Sequence, residues 1–172
     1  IKKRRQSDAF GSRKRTIFLF ICLFNGLLME KQLPILDKNF VGNLIPQKAP
    51  FVMVDKLLSF SENEVVAGLT VTQDNIFCDA GIFQESGLIE HMAQSVALFT
   101  GYQFYLKKEP APTGYIGSIK SIAIMTLPKL EDKVVTTVNL LHEFMGVTLV
   151  DIVSKLNDVE IARGQMKTVL AS

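Results

Sequence analysis

The chain has 172 residues, 48% apolar and 21% charged, which suits one domain with a proper core and argues against a disordered chain. Two cysteines, Cys22 and Cys78, and two histidines, His91 and His142, make neither a disulfide framework nor a zinc site of known spacing, and they fit a reducing, cytoplasmic setting. The net charge of +2 hides an asymmetry, because residues 1–15 carry seven basic side chains and one acid whereas the chain from residue 29 carries 12 basic and 16 acidic ones; that acidic body argues against a nucleic-acid surface.

Residues 16–28 are an uncharged, mostly apolar run after the basic start, a pattern similar to a signal peptide. No small-x-small cleavage site follows, and the run is shorter than the ~20 residues of a bilayer-crossing helix. Met29 stands where the globular pattern begins. Residues 1–28 are therefore expected to be a leader outside the native protein, with a signal or anchor-like segment as the alternative. Only in that second case is a membrane expected as a partner. The domain itself is expected over 29–172.

From Leu33 to Phe40 a short helix or turn is expected, leading into Ile45–Pro50, which its two prolines make extended or turning. Phe51–Phe60 and Glu64–Thr72 read as a hairpin about the polar turn Ser61-Glu62-Asn63. One long helix is expected over Gly87–Tyr105, with Ser86 as N-cap. It is apolar nearly all round, so most of it must be buried. Lys107 and Lys108 suit its C-terminal end, and Pro110 and Pro112 stop it. Four strands follow: Thr113–Thr126, Lys133–Glu143, Val147–Asn157 and Glu160–Leu170. In the last, Ile161 interrupts an otherwise polar face of Arg163, Gln165 and Lys167. Two strands, one buried helix and four strands make an α+β chain whose antiparallel sheet must curl about the helix. Several α+β folds satisfy that pattern.

Two segments narrow the choice. Ile45-Pro-Gln-Lys-Ala-Pro-Phe-Val-Met-Val-Asp-Lys-Leu-Leu58 and Gly87-Leu-Ile-Glu-His-Met-Ala-Gln94 resemble the two signatures of the hotdog-fold 3-hydroxyacyl-acyl carrier protein dehydratases. There a P-H-x-x-P-F segment runs into a strand, and the central helix carries G-V-x-x-x-E-A-M-A-Q. Thr113-Gly-Tyr-Ile-Gly-Ser-Ile-Lys120 is similar to the family's strand after the helix. The resemblance spans about residues 40–170. It is nearest to the divergent branch tied to aryl polyene and flexirubin-type pigments, in which a G-H-F-P-G motif is lost. It implies a hotdog fold with a long central helix wrapped by a curved antiparallel sheet of about five or six strands. It also implies action on acyl thioesters of fatty acid or polyene biosynthesis, an acyl carrier protein as partner, and a homodimer or a heterodimer with another hotdog subunit. Neither cofactor nor metal is implied.

The family's site pairs a loop histidine with a helix carboxylate of the other subunit. Glu90 matches the carboxylate and is the candidate catalytic residue. The loop Asn75–Ser86 holds no histidine. The histidine's place falls near Cys78 or Asp79, which are weak catalytic candidates, and the P-H-x-x-P-F histidine is Gln47 here. A helix start supplies unpaired N–H donors for an enolate-like thioester oxygen. Gly87 would let a thioester approach, and Gly87, Leu88, Gln94 and Gly117 are the expected substrate-binding residues. Competing structural readings stand beside these. Glu90 can simply complement the helix dipole, Gln94 can anchor backbone in the core, and His91, about 100° round the helix from Glu90, can be a core or interface histidine. Ile116, Ile119 and Ile122 either line an acyl tunnel or belong to the core. Three functions follow: a dehydratase, an inactive hotdog partner or carrier-binding subunit, and an acyl thioesterase.

Overall fold

The computed structural model describes residues 32–170, so the expectations for residues 1–28 lie outside the described residues. A short helix α1 (Lys38–Asn43) is capped by Asp37, whose carboxylate accepts the N–H groups of Asn39 and Phe40. The strands β1 (Lys56–Phe60) and β2 (Glu64–Thr70) form the expected hairpin. Between β2 and the long helix lies a two-residue-strand hairpin, β3 (Cys78–Asp79) and β4 (Ile82–Phe83). The long helix α2 runs Glu85–Lys107, followed by β5 (Gly114–Ile124), β6 (Lys133–Phe144), β7 (Val147–Leu156) and β8 (Val159–Leu170).

The six long strands make one antiparallel sheet in the order β1-β2-β6-β7-β8-β5. The β6–β7 and β7–β8 hairpins close with two residues each, Met145-Gly146 and Asn157-Asp158, all four at positive φ. That is the turn whose twist matches paired strands. Helix α2 packs against β2, β5, β6 and β7. Leu88, Met92, Leu98, Val138, Ile152 and Met166 are among the buried side chains of the shared core, each contributing on the order of 1.5–3 kcal/mol by leaving water.

Four local readings change. The first strand begins at Lys56, not Phe51, because side chains of α2 take the polar backbone groups at Phe51 and Met53 that a strand partner would have used. Helix α2 starts two residues earlier than expected. Gln84, not Ser86, is its N-cap, since Gln84 is extended (φ −73°, ψ 161°) and its carbonyl accepts the first helical N–H, from Leu88. The short first helix is Lys38–Asn43, later than Leu33–Phe40, because Asp37 supplies the cap. Ile161 is buried even though it falls on the polar side by alternation. A bulge between Ser154/Ala162 and Lys155/Glu160 turns both Ile161 and Ala162 inward, as an extra residue in a ladder does.

Candidate functional site

Glu90 sits in the second turn of α2, half-buried. Its Oε1 accepts a hydrogen bond of 2.7 Å from the Gln94 side-chain amide, the i, i+4 neighbour on the same helix face. Gln94 is fully buried and uses every donor it has. Its second N–H goes to the carbonyl of Phe51 (2.6 Å), and its own Oε1 accepts the N–H of Met53 (2.6 Å). A carboxamide gripping the C=O of one residue and the N–H two residues on takes the place of a parallel strand's peptide. It thus fixes the segment leading into β1 and, through its other hydrogen, one oxygen of Glu90.

His91 is also fully buried, and is joined to the Met53 carbonyl (2.6 Å, Nδ1) and the Thr136 hydroxyl (2.8 Å, Nε2). Thr136 in turn meets Ser154 (2.7 Å). Burial is the main cause that lowers the His91 pKa to about 4; Lys56 adds to it, while the Met53 carbonyl and Asp55 oppose it. The ring is therefore neutral at physiological pH and fully engaged, so it is no replacement for a loop base. His142 is exposed on β6 and stacks on Phe144.

The loop facing the helix start is anchored by aromatic packing. Gly87 is buried, and a side chain there would meet Phe77 and Phe83 at 2.5–2.6 Å. Phe83 is fully buried, and the Gln84 N–H bonds the Phe77 carbonyl (2.9 Å). The glycine's bare face is thus filled by Phe77 and Phe83. Cys78 is half-buried against the core and Asp79 is exposed. Among the described residues no hydrogen bond or ion pair joins either to Glu90. The Gln84 side chain turns to the Ile82 carbonyl and gives no cap bond, so no side-chain cap covers the first helical N–H groups. Leu88 is buried in the core. Gly117 lies in exposed β5 at a bulge between Ile116 and Ser118.

Along the same helix a groove of about 60 Å³ opens between α2 (Ala97, Thr100, Gly101), Pro46, and Ile116 and Leu170 of β5 and β8. At 1.5 Å per residue, Ala97 and Gly101 lie ~10 and ~16 Å beyond Glu90 along the axis. Gly101 is required there, since a Cβ would fall onto the Leu44 carbonyl oxygen. Of the three isoleucines, Ile116 lines the groove, Ile119 is exposed, and Ile122 packs half-buried on the core.

Sequence reasoning missed Thr136 and Ser154. The available signal was polar residues at inward positions of β6 and β7, beside Val134 and Val138 and beside Ile152. Among the described residues no group of His, Cys, Asp and Glu is placed to hold a metal, and no helix is long and apolar enough to cross a membrane.

The sequence pattern of the ApeP-like family, ApeP dehydratase, matches residues 40–169. The chain belongs to this family. The chain is also similar to a solved structure described as the dehydratase heterocomplex ApeI:P from Xenorhabdus doucetiae, with TM-score 0.73 and 20% identity over 83% of this chain and 93% of that one. Two further similar structures are a hypothetical thioesterase with coenzyme A from Streptococcus pneumoniae and the PaaI protein of E. coli. For the first the TM-score is 0.54, with 13% identity over 67% of this chain and 84% of that one. For the second it is 0.54, with 15% identity over 66% and 80%. At such identities these likenesses carry the fold alone, and the fold is the hotdog fold. No curated protein matches.

Proposed function

We propose that this ApeP-like chain is one subunit of a mixed hotdog dehydratase acting on 3-hydroxyacyl thioesters, with Glu90 as the acid. The observation that carries the reading is an oriented carboxylate that no base is bonded to among the described residues. Gln94 fixes one oxygen of Glu90 at the helix start, while both described histidines are otherwise placed, His91 bonded at both ring nitrogens and His142 out on β6. A base is then to come from a second subunit across the exposed β5 edge. The heterocomplex nature of the similar ApeI:P structure supports this arrangement.

In the reaction the partner's base removes the C2 proton of the thioester. The C2–H pair forms the new C2=C3 bond, the C3–O bond breaks, and Glu90 delivers a proton to the departing hydroxyl, which leaves as water. The N–H groups at the start of α2, left without a side-chain cap, face the negative charge that develops on the thioester oxygen. The groove from Ala97 to Gly101 takes the apolar acyl tail, and its small residues leave room for it. An acyl carrier protein fits as the thioester's bearer.

The test incubates the protein, alone and with a co-encoded hotdog subunit, with 3-hydroxyacyl carrier protein, and follows enoyl product by mass. Product is expected only from the pair. Glu90→Gln is expected to lower it by about 10²–10⁴-fold while the pair still forms. Free acid as the product would replace this reading by a thioesterase. Full activity in Glu90→Gln would remove Glu90 from the chemistry.

A further inference from the structure

We propose that His91, Thr136 and Ser154 form a positioning relay that holds the Phe51–Met53 backbone against α2 and so keeps Gln94 and Glu90 aimed. The inference rests on the reading of Glu90 given above and extends it to side chains that touch no substrate.

The direction of the relay follows from donor chemistry. The Met53 carbonyl can only accept, so His91 Nδ1 carries the hydrogen and Nε2 is a bare acceptor. The Thr136 hydroxyl then donates to Nε2, and with that hydrogen spent its oxygen accepts from Ser154. The ring and both hydroxyl residues are fully buried, so water cannot replace a lost partner. The Ser95 hydroxyl donates to the His91 carbonyl (2.8 Å) and ties the same helix turn once more. The relay joins α2, β6 and β7 to a segment that forms no strand of its own.

Met53 is where the two clamps meet. Its N–H belongs to Gln94 and its carbonyl to His91. Releasing the carbonyl leaves a buried acceptor unpaired, and the segment moves to satisfy it. Gln94 grips that segment with two of its three bonds, and the third is the one that aims Glu90. A shift at Met53 is therefore passed to the carboxylate through a single side chain.

The test uses the full isotope-labelled chain for NMR, and its complex with the hotdog partner for kinetics. In the wild type the His91 ring is expected as the tautomer protonated at Nδ1, with both Gln94 side-chain protons protected from exchange. In His91→Ala the Gln94 protons are expected to lose that protection and move to free-amide positions. The complex's kcat falls about tenfold with KM little changed, the signature of lost transition-state alignment. His91→Asn, which keeps a donor for the Met53 carbonyl, restores most of both. If His91→Ala does not fold, Thr136→Val removes the donor to Nε2, together with the acceptor for Ser154, while leaving the ring in place, and is expected to loosen Gln94 in the same sense. Unchanged Gln94 protons in a folded variant, or a ring protonated at Nε2, overturns the relay. A wild-type complex that forms no enoyl product overturns the dehydratase reading instead, and the Gln94 protons then decide the relay by themselves.

Discussion

The two edges of the sheet are finished differently. Strand β1 is five residues long, bulged between Leu57 and Ser59, and bridged from outside by Ile35, whose N–H and carbonyl both bond Leu57 at 2.7 and 2.9 Å. Strand β5 is eleven residues long, and its first eight residues are all exposed, including Tyr115 at 62%, Ile116 at 43% and Ile119 at 47%. Its second edge pairs with no described strand. A long, apolar, uncovered edge is a template for another strand, whereas a short, bulged and bridged one is protected. The chain thus closes one edge with its own residues and leaves the other fit for a second subunit, beside the groove that Ile116 lines.

The largest expected effect comes from breaking the open edge. Ile116→Lys with Ile119→Lys puts two charges where a partner strand would lie, on side chains already more than 40% exposed. Thermal unfolding of the isolated chain is expected to change little. Co-purification with the hotdog partner is expected to be lost, and the product of the pair with it. Retained association would mean that the partner uses another surface. At the closed edge the outcome reverses. Leu57 is fully buried, and Leu57→Ala is expected to cost about 2–5 kcal/mol in denaturant unfolding, while the fraction of folded protein that binds the partner stays unchanged.

The contrast between edges bears on what sequence can reveal. The helix, the six strands and their hairpins were legible because each is a local pattern: apolar periodicity, turn residues, prolines. The contact between Glu90 and Gln94 was legible through their spacing on one helix face. The Ile161 anomaly was visible as a fault in alternation, but its cause, a bulge against Ser154, depends on register between strands and has no local signature. Thr136 and Ser154 were hidden for the same reason. Each is an ordinary strand residue until β6 and β7 bring them together 18 positions apart in sequence and set them opposite His91. The strand expected from Phe51 failed because its hydrogen bonds are taken by two side chains, Gln94 at 41 and 43 residues from its partners and His91 at 38, and propensity cannot anticipate such a substitution.

Acid should separate the two sides of the sheet by a smaller and more gradual effect. His91 has its pKa lowered to about 4 in the folded chain against an ordinary value near 6.5 when unfolded. Between those values the unfolded chain binds a proton that the native one does not, so stability rises with pH through that window. It is complete above about 6.5 and lost as pH falls to about 4, an upper estimate of about 3 kcal/mol from the size of the shift. Charging the ring puts a hydrogen on Nε2, which takes away the acceptor that Thr136 needs, and buries a charge next to Met53, on the β1 side. The β5–β8 ladder shares no hydrogen bond with that ring. Amide exchange is therefore expected to quicken first over residues 51–57 as pH drops from 6.5 to 4.5, ahead of β5 and β8. In His91→Gln, which has no ring to charge, that pH step in melting temperature should disappear. Simultaneous loosening of β5 and residues 51–57 in the wild type would show that acid acts through carboxylates spread over the whole sheet and not through the one imidazole.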